Sequence, residues 1–151
     1  MKGRVHELKI KEIMTDKIAY VNPQTTLVEA AQLMQKHDVG AVPVCEGEKV
    51  LGIVTDRDIV VRNVAHGKDP RQTPVRDVMT TGVKSINPEM SLSQAASMMA
   101  DQQIRRLPVV ENDRLVGMVS LGDLATRAKT DLELARTLGE ISYPSEPEQI
   151  Q

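Results

Sequence analysis

The seven residues Gly52-Ile53-Val54-Thr55-Asp56-Arg57-Asp58 return sixty-five positions later as Gly117-Met118-Val119-Ser120-Leu121-Gly122-Asp123. The same offset, without a gap, pairs Met14-Thr15 with Met79-Thr80, Asn22-Pro23 with Asn87-Pro88, and Leu27 with Leu92. It also pairs Ala30-Ala31 with Ala95-Ala96, Met34 with Met99, Pro43-Val44 with Pro108-Val109, and Arg62 with Arg127. A self-similarity of this length predicts two like units related by a pseudo-twofold axis.

Within the first unit, Ile10–Thr15 reads as one helical turn and Ile18–Val21 as a short strand closed by the turn signal Asn22-Pro23. Thr26-Leu27-Val28-Glu29 matches a capping box. Leu27, Ala30, Ala31, Leu33 and Met34 follow at helical spacing, so a helix is expected from about Thr26 to His37. Ala41–Cys45 reads as a strand, with Pro43 marking an edge or a strand start. Glu46-Gly47-Glu48 is a turn, and a second strand runs into Thr55. The unit is therefore β-α-β-β-α, with a parallel crossover through the helix and a hairpin after it. Its copy repeats the cap, with Ser91 and Gln94 in place of Thr26 and Glu29. The expected fold class is α/β (α+β), built from two such units. The chain divides into a lead-in at 1–9, repeat one at 10–65, a breaker-rich linker at 66–74 and repeat two at 75–128. A helix end and polar tail at 129–151 follow, the helix continuing through Leu132, Leu134, Ala135 and Leu138 toward Gly139.

The repeated seven-residue stretch carries the chemistry. A short aliphatic strand ends at Thr55 or Ser120, and an acid, Asp58 or Asp123, stands three residues on where a helix begins. Hydroxyl, two residues, acid is the pattern of a helix cap. The same geometry also presents free backbone N–H groups to a phosphate and a carboxylate to a ribose diol. On the local pattern both readings stand.

Composition removes several functional classes. The chain has no Phe, no Trp and two Tyr, so it lacks the stacking platforms of single-strand nucleic-acid binders, and its core must be filled by aliphatic residues and eight Met. A net charge of −2 gives no electrostatic case for nucleic acid or a membrane surface. No apolar run reaches membrane-spanning length, and the opening residues lack the hydrophobic stretch of a signal peptide; a cytoplasmic protein is expected. The single Cys45 fits a reducing compartment and reads as a small apolar filler. His6, His37 and His66 lack metal-ligand spacing, and neither a nucleophile-base pair nor a Walker-type loop is present, so no enzyme is expected.

The two copies resemble a tandem pair of cystathionine-β-synthase (CBS) domains, a Bateman module, over about Ile10 to Arg127. Both fit that family's signature of glycine, two apolar residues, Thr or Ser, two variable residues and Asp. The stretches Asp38–Val44 and Gln103–Val109 fit its pattern ahead of the second strand. The chain is most similar to stand-alone bacterial proteins of that kind. The resemblance implies a regulatory module that binds adenosine-containing molecules between the repeats. AMP, ADP or ATP is the expected ligand, ahead of S-adenosylmethionine or NAD, with no required cofactor. Carried over by position, Asp58 and Asp123 would hold ribose hydroxyls, and Thr55 and Ser120 would contact ribose or phosphate. Arg57, Arg105 and Arg106 would bind phosphate, while Thr15, Thr80, Val39 and Ile104 would wall the adenine. The resemblance also implies a homodimer formed through the first helices and an unidentified protein target in trans.

The clefts are not equivalent. Gly40 and Ala41 stand where repeat two has Arg105 and Arg106, and Gly122 replaces Arg57. One occupied and one weaker or differently selective site is expected, against the reading of Arg105 and Arg106 as a solvated pair. Three functions remain open: a nucleotide sensor, a constitutive interaction or dimerisation module in which the two acids are only caps, and an enzyme acting on a nucleotide.

Overall fold

The structure is a computed structural model that describes residues 8–127 together with Arg136, Leu138 and Gly139. Most of the expected lead-in, and the expected run through Leu132, Leu134 and Ala135 into the polar tail, lie outside the described residues. Repeat one contains helix α1 (Leu27–His37), strands β1 (Ala41–Glu46) and β2 (Lys49–Thr55), and helix α2 (Asp56–Arg62). Repeat two contains β3 (Thr80–Thr81), α3 (Leu92–Gln102), β4 (Arg106–Glu111), β5 (Arg114–Ser120) and α4 (Leu121–Arg127). The expected mixed fold is present, but the opening strand of each β-α-β-β-α unit is not, and β3 joins the sheet of repeat one in the order β1-β2-β3. Among the described residues no helix is long and apolar enough to cross a membrane.

Helices α1 and α3 form where the periodicity places them and bury Leu27, Ala30 and Met34, and Leu92, Ala95, Ala96 and Met99. Ser91 and Gln94 make the full reciprocal cap, whereas Thr26 makes half of one, accepting from the Glu29 N–H at 3.2 Å. Both helices stop at a residue in the left-handed region, Asp38 at φ 52° and Gln103 at φ 53°. Leu33 and Met98 pack partly buried against the two cores, so these helices first serve their own interior.

The hairpins β1–β2 and β4–β5 are antiparallel and carry the same irregularity, at Val44/Cys45 and Val109/Val110. The expected opening strand over Ile18–Val21 shrinks to one parallel bridge at Val21, matched by Ile86 in repeat two. Its physical cause is Pro43. Val21 N–H donates to the Pro43 carbonyl at 3.0 Å, and Cys45 N–H donates to the Val21 carbonyl at 2.8 Å. The preceding rung would need an N–H from Pro43, which has none. Pro108 ends the ladder in the same way beside Ile86.

The two repeats exchange their opening segments. Ile10, from repeat one, is fully buried in the core of repeat two with Ile86, Leu92, Leu107 and Leu124. Val75 and Val78, from repeat two, are buried in the core of repeat one with Leu27, Val42 and Val54. Backbone bonds seal both crossings. Thr15 and Met118 exchange two bonds of 2.9 Å, and β3 pairs with β2 through Thr80–Ile53 and Thr81–Gly52. The stretch expected as a linker is tied down as well. Thr73 accepts from the Leu27 N–H at 3.0 Å, and its hydroxyl receives a bond from the fully buried Asn63 amide at 3.0 Å.

The crossings explain the glycine that opens each repeated stretch. A Cβ on Gly52 would lie 2.5 Å from the Thr80 carbonyl oxygen, and one on Gly117 would lie 2.5 Å from Met14 Sδ and 3.2 Å from the Thr15 carbonyl oxygen. A backbone oxygen cannot yield as a methionine tip can. Gly52→Ala should therefore destabilise the protein by about 1–3 kcal/mol in denaturant unfolding, the range of overpacked cores, and Gly117→Ala by less.

On the surface the crossing of repeat one is held by charge. Glu89 receives hydrogen bonds from Lys11 Nζ at 2.8 Å and Lys9 Nζ at 2.7 Å, which hold its carboxyl down at about 2 from an ordinary 4.5. A carboxyl depressed by folding stabilises the native state fully above its unfolded value, and that contribution fades as pH falls through the folded one. Melting temperatures of the wild type and Glu89→Gln should differ at pH 6 and converge as pH approaches about 2.

Candidate functional site

Each strand-to-helix junction is a closed capping box. Asp58 N–H donates to Thr55 Oγ1 at 3.0 Å, and Thr55 N–H donates to Asp58 Oδ2 at 3.0 Å. In repeat two Asp123 N–H donates to Ser120 Oγ at 3.1 Å, and Ser120 N–H donates to Asp123 Oδ2 at 2.9 Å. The second oxygen of Asp58 lies 3.8 Å from Arg62 Nε. Arg62 in turn donates to the carbonyl of Val78 at 3.2 Å, just ahead of Thr80. Asp58 thus fixes the start of its own helix and, through Arg62, steadies the segment that crosses from repeat two.

Between the two junctions lies a cavity of about 1000 Å³. Repeat one contributes Gly40, Ala41, Ile53, Thr55, Asp56 and Arg57; repeat two contributes Thr80, Ile104, Arg105, Arg106, Ser120 and Gly122, with Leu138 beyond α4. The loops ahead of the hairpins are tied to the junctions they face. Asp56 N–H donates to the Gly40 carbonyl at 2.9 Å, and Leu121 N–H donates to the Arg105 carbonyl at 2.8 Å. That bond sets position 40 or 105 beside the hydroxyl of its own repeat, so the backbone, not the side chain, places Arg105 at the cavity rim.

Of the eleven residues singled out in the sequence, Thr55, Arg57, Thr80, Ile104, Arg105, Arg106 and Ser120 line this cavity, and Thr15, Val39, Asp58 and Asp123 do not. Asp58 and Asp123 stand behind the hydroxyls, engaged in the caps. Val39 packs half-buried against the core of repeat one. The exchange treats Thr15 and Thr80 alike, setting Thr80 against Ile53 of β2 and Thr15 against the matching Met118 of β5, and of the two Thr80 lines this cavity. The cavity also brings in residues that the sequence reading passed over, Asp56 and Leu138 among them. Leu138 is buried against the second core, far along the chain from the repeated motifs.

In chemical terms the cavity combines three guanidinium groups and one carboxylate with aliphatic walls from Ile53, Ile104, Val83 and Leu121. The arginines suit phosphate or carboxylate, and the walls suit an apolar ring system. Among the described residues no cluster of three or more His, Cys, Asp or Glu is arranged to hold a metal ion. Burial pushes the Cys45 thiol up to about 11, which keeps it a neutral occupant of the β1 core face.

Comparison with known proteins gives a concordant answer. The family model of the CBS domain matches this sequence twice, over residues 10–63 and 75–129. The CBS domain-containing protein YhcV of Bacillus subtilis is 48% identical over 134 residues, which span 89% of this chain and 95% of that protein. The crystal structure of Hypoxic Response Protein I, with two coordinated zinc ions, is similar at a TM-score of 0.74 and 33% identity, over 79% of this chain and 98% of the other. The CBS domain pair of protein MJ0100, solved in complex with 5'-methylthioadenosine and S-adenosyl-L-methionine, gives a TM-score of 0.74 over 82% of this chain and 98% of its own. At 23% identity that likeness is one of fold.

The caps make a prediction that no ligand enters. Asp58→Ala and Asp123→Ala should each lower stability by about 1 kcal/mol in chemical unfolding without added ligand. Arg105→Ala, a cavity-rim change, should stay within about 0.5 kcal/mol of wild type.

Proposed function

The chain belongs to the CBS-domain family as a tandem pair, and from that premise we propose that it is a sensor whose inter-repeat cavity takes an anionic adenosine-containing ligand. The AMP, ADP or ATP class fits better than S-adenosylmethionine or NAD, because Arg57, Arg105 and Arg106 together favour phosphate. The observation that carries this reading is the convergence of those arginines and the Thr55 and Ser120 hydroxyls on one aliphatic-walled cavity of about 1000 Å³. Each hydroxyl accepts one N–H from its cap and keeps its own O–H to donate to a ligand oxygen. Ile53 and Ile104 stand where they can cover a purine face. Asp58 and Asp123 hold the junctions in register and, on this reading, turn their carboxylates to a ribose diol when the ligand enters. The complex of the MJ0100 domain pair with two adenosine compounds, neither of which carries a phosphate, supports the adenosine part of this reading and not the phosphate part.

Ligand entry would be transmitted through the crossed segments, since Thr80 both lines the cavity and belongs to the strand that completes the other repeat's sheet. The output is a change in shape or in association, read by a protein partner in trans, with the protein acting as a cytoplasmic homodimer. No catalytic role is assigned. A second reading, a constitutive interaction or dimerisation module, draws on the completeness of the two caps, which leaves Asp58 and Asp123 satisfied without a ligand.

Thermal unfolding against AMP, ADP, ATP, NAD, S-adenosylmethionine and GMP separates the two. A ligand at about one hundred times its Kd adds roughly 2.7 kcal/mol and raises Tm by several degrees. Arg105→Ala and Arg106→Ala should each weaken the phosphorylated ligand about tenfold to a hundredfold, the scale of a lost charged hydrogen bond, and leave adenosine almost unchanged. If no compound shifts Tm while Asp58→Ala and Asp123→Ala are simply less stable, the interaction module is the correct reading.

A further inference from the structure

One carboxylate shares the cavity with the three arginines. Asp56 is the first residue of α2 and stands exposed on the repeat-one side. Two hydrogen bonds fix its position. Its N–H donates to the Gly40 carbonyl at 2.9 Å, its Oδ1 accepts from the Arg57 N–H at 2.8 Å, and its Oδ2 lies 3.1 Å from where a Cβ on Gly40 would stand. The bare Gly40 leaves room for that carboxylate. Repeat two keeps the backbone bond, from Leu121 N–H to the Arg105 carbonyl, and changes every side chain around it: Arg105 for Gly40, Arg106 for Ala41, Leu121 for Asp56 and Gly122 for Arg57. On the repeat-one side Asp56 cancels Arg57, and on the repeat-two side Arg105 and Arg106 stand without an acid at the cavity wall. The same backbone thus carries a neutral half and a doubly positive half.

Resting on the nucleotide reading above, we propose that Asp56 determines specificity, favouring a ligand with a single phosphate, held at Arg105 and Arg106, over one with a longer phosphate chain. Each further phosphate adds negative charge to a cavity that already holds the Asp56 carboxylate, and that carboxylate offsets the attraction of Arg57, so a triphosphate gains less from the arginines than their number alone would give. Selection of a monophosphate over a triphosphate is then built by repulsion as much as by attraction.

Isothermal titration calorimetry with adenosine, AMP and ATP, on wild type and Asp56→Asn, tests this. Asparagine keeps an oxygen for the Arg57 N–H, so the fold is retained and only the charge is removed. The expected result is that wild type binds AMP about tenfold tighter than ATP. Asp56→Asn should close most of that gap by strengthening ATP, with adenosine changed by less than about threefold, as a local charge effect requires. A wild type that prefers ATP, a gap that persists in Asp56→Asn, or an equal change for all three ligands overturns this inference and leaves the nucleotide site standing. A wild type that binds none of the three overturns both.

Discussion

The structure depends on a reciprocal exchange of backbone. Thr15 bonds to Met118 of the other repeat, Thr80 pairs with Ile53, and the residues just ahead of them, Ile10 and Val75, are buried in the partner's core. Neither core is complete without a segment from the other repeat, so the two halves cannot loosen independently. That coupling has a steric condition. Two backbones approach closely at Gly52 and Gly117, and any side chain there meets a carbonyl oxygen or the Met14 tip. The glycine that opens each repeated stretch belongs to the crossing and not to a ligand. The cavity exists because the crossing holds the two strand-to-helix junctions face to face.

The caps and the candidate ligand contacts are less opposed than the sequence pattern suggests. A carboxylate has two oxygens, and the cap engages Oδ2 of each acid. A hydroxyl has one proton and two lone pairs, and the cap uses one lone pair. Thr55 and Ser120 therefore present a donor to the cavity while holding their helices. In the structure the acids stand one layer back, and Asp58 is steadied by Arg62. A group fixed by its own secondary structure requires little further ordering, which lowers the entropic cost of binding at such a position.

The sixty-five-residue repeat made the pseudo-symmetric fold, the hairpins and the four caps legible, because each rests on local pattern and spacing. The exchange was not legible. Two identical units give the same sequence whether each opening segment pairs at home or with its neighbour, and only the buried neighbours of Ile10 and Val75 decide it. Thr15 and Thr80, equivalent in sequence, make matching crossings to Met118 and Ile53, and of the two Thr80 lines the cavity. The loss of the strand at Ile18–Val21 could have been read from Pro43, whose missing N–H lies on the side where Val21 pairs. Val39 packs against the core of repeat one with its N–H donating to the Met34 carbonyl at 3.0 Å, and Ile104, which lines the cavity, makes the same bond to Met99 at 3.1 Å. Asp56 was passed over because it fills a variable position between two conspicuous ones.

Identity and divergence between the repeats follow a physical division. Positions that the backbone needs are the same in both copies: the crossing glycines, the ladder-ending prolines, and the buried residues of α1 and α3 that pair as Leu27 with Leu92 and Met34 with Met99. Around the cavity the copies differ, at 40 and 105, 41 and 106, 56 and 121, and 57 and 122. The backbone bonds at those positions are kept, so the divergence changes charge without moving the chain. A symmetric frame with equal side chains would offer a ligand two equivalent poses. Unequal charge on equal backbone removes one of them. Unequal charge at the cavity wall would therefore give such a ligand a direction, while the crossed segments tie both halves together.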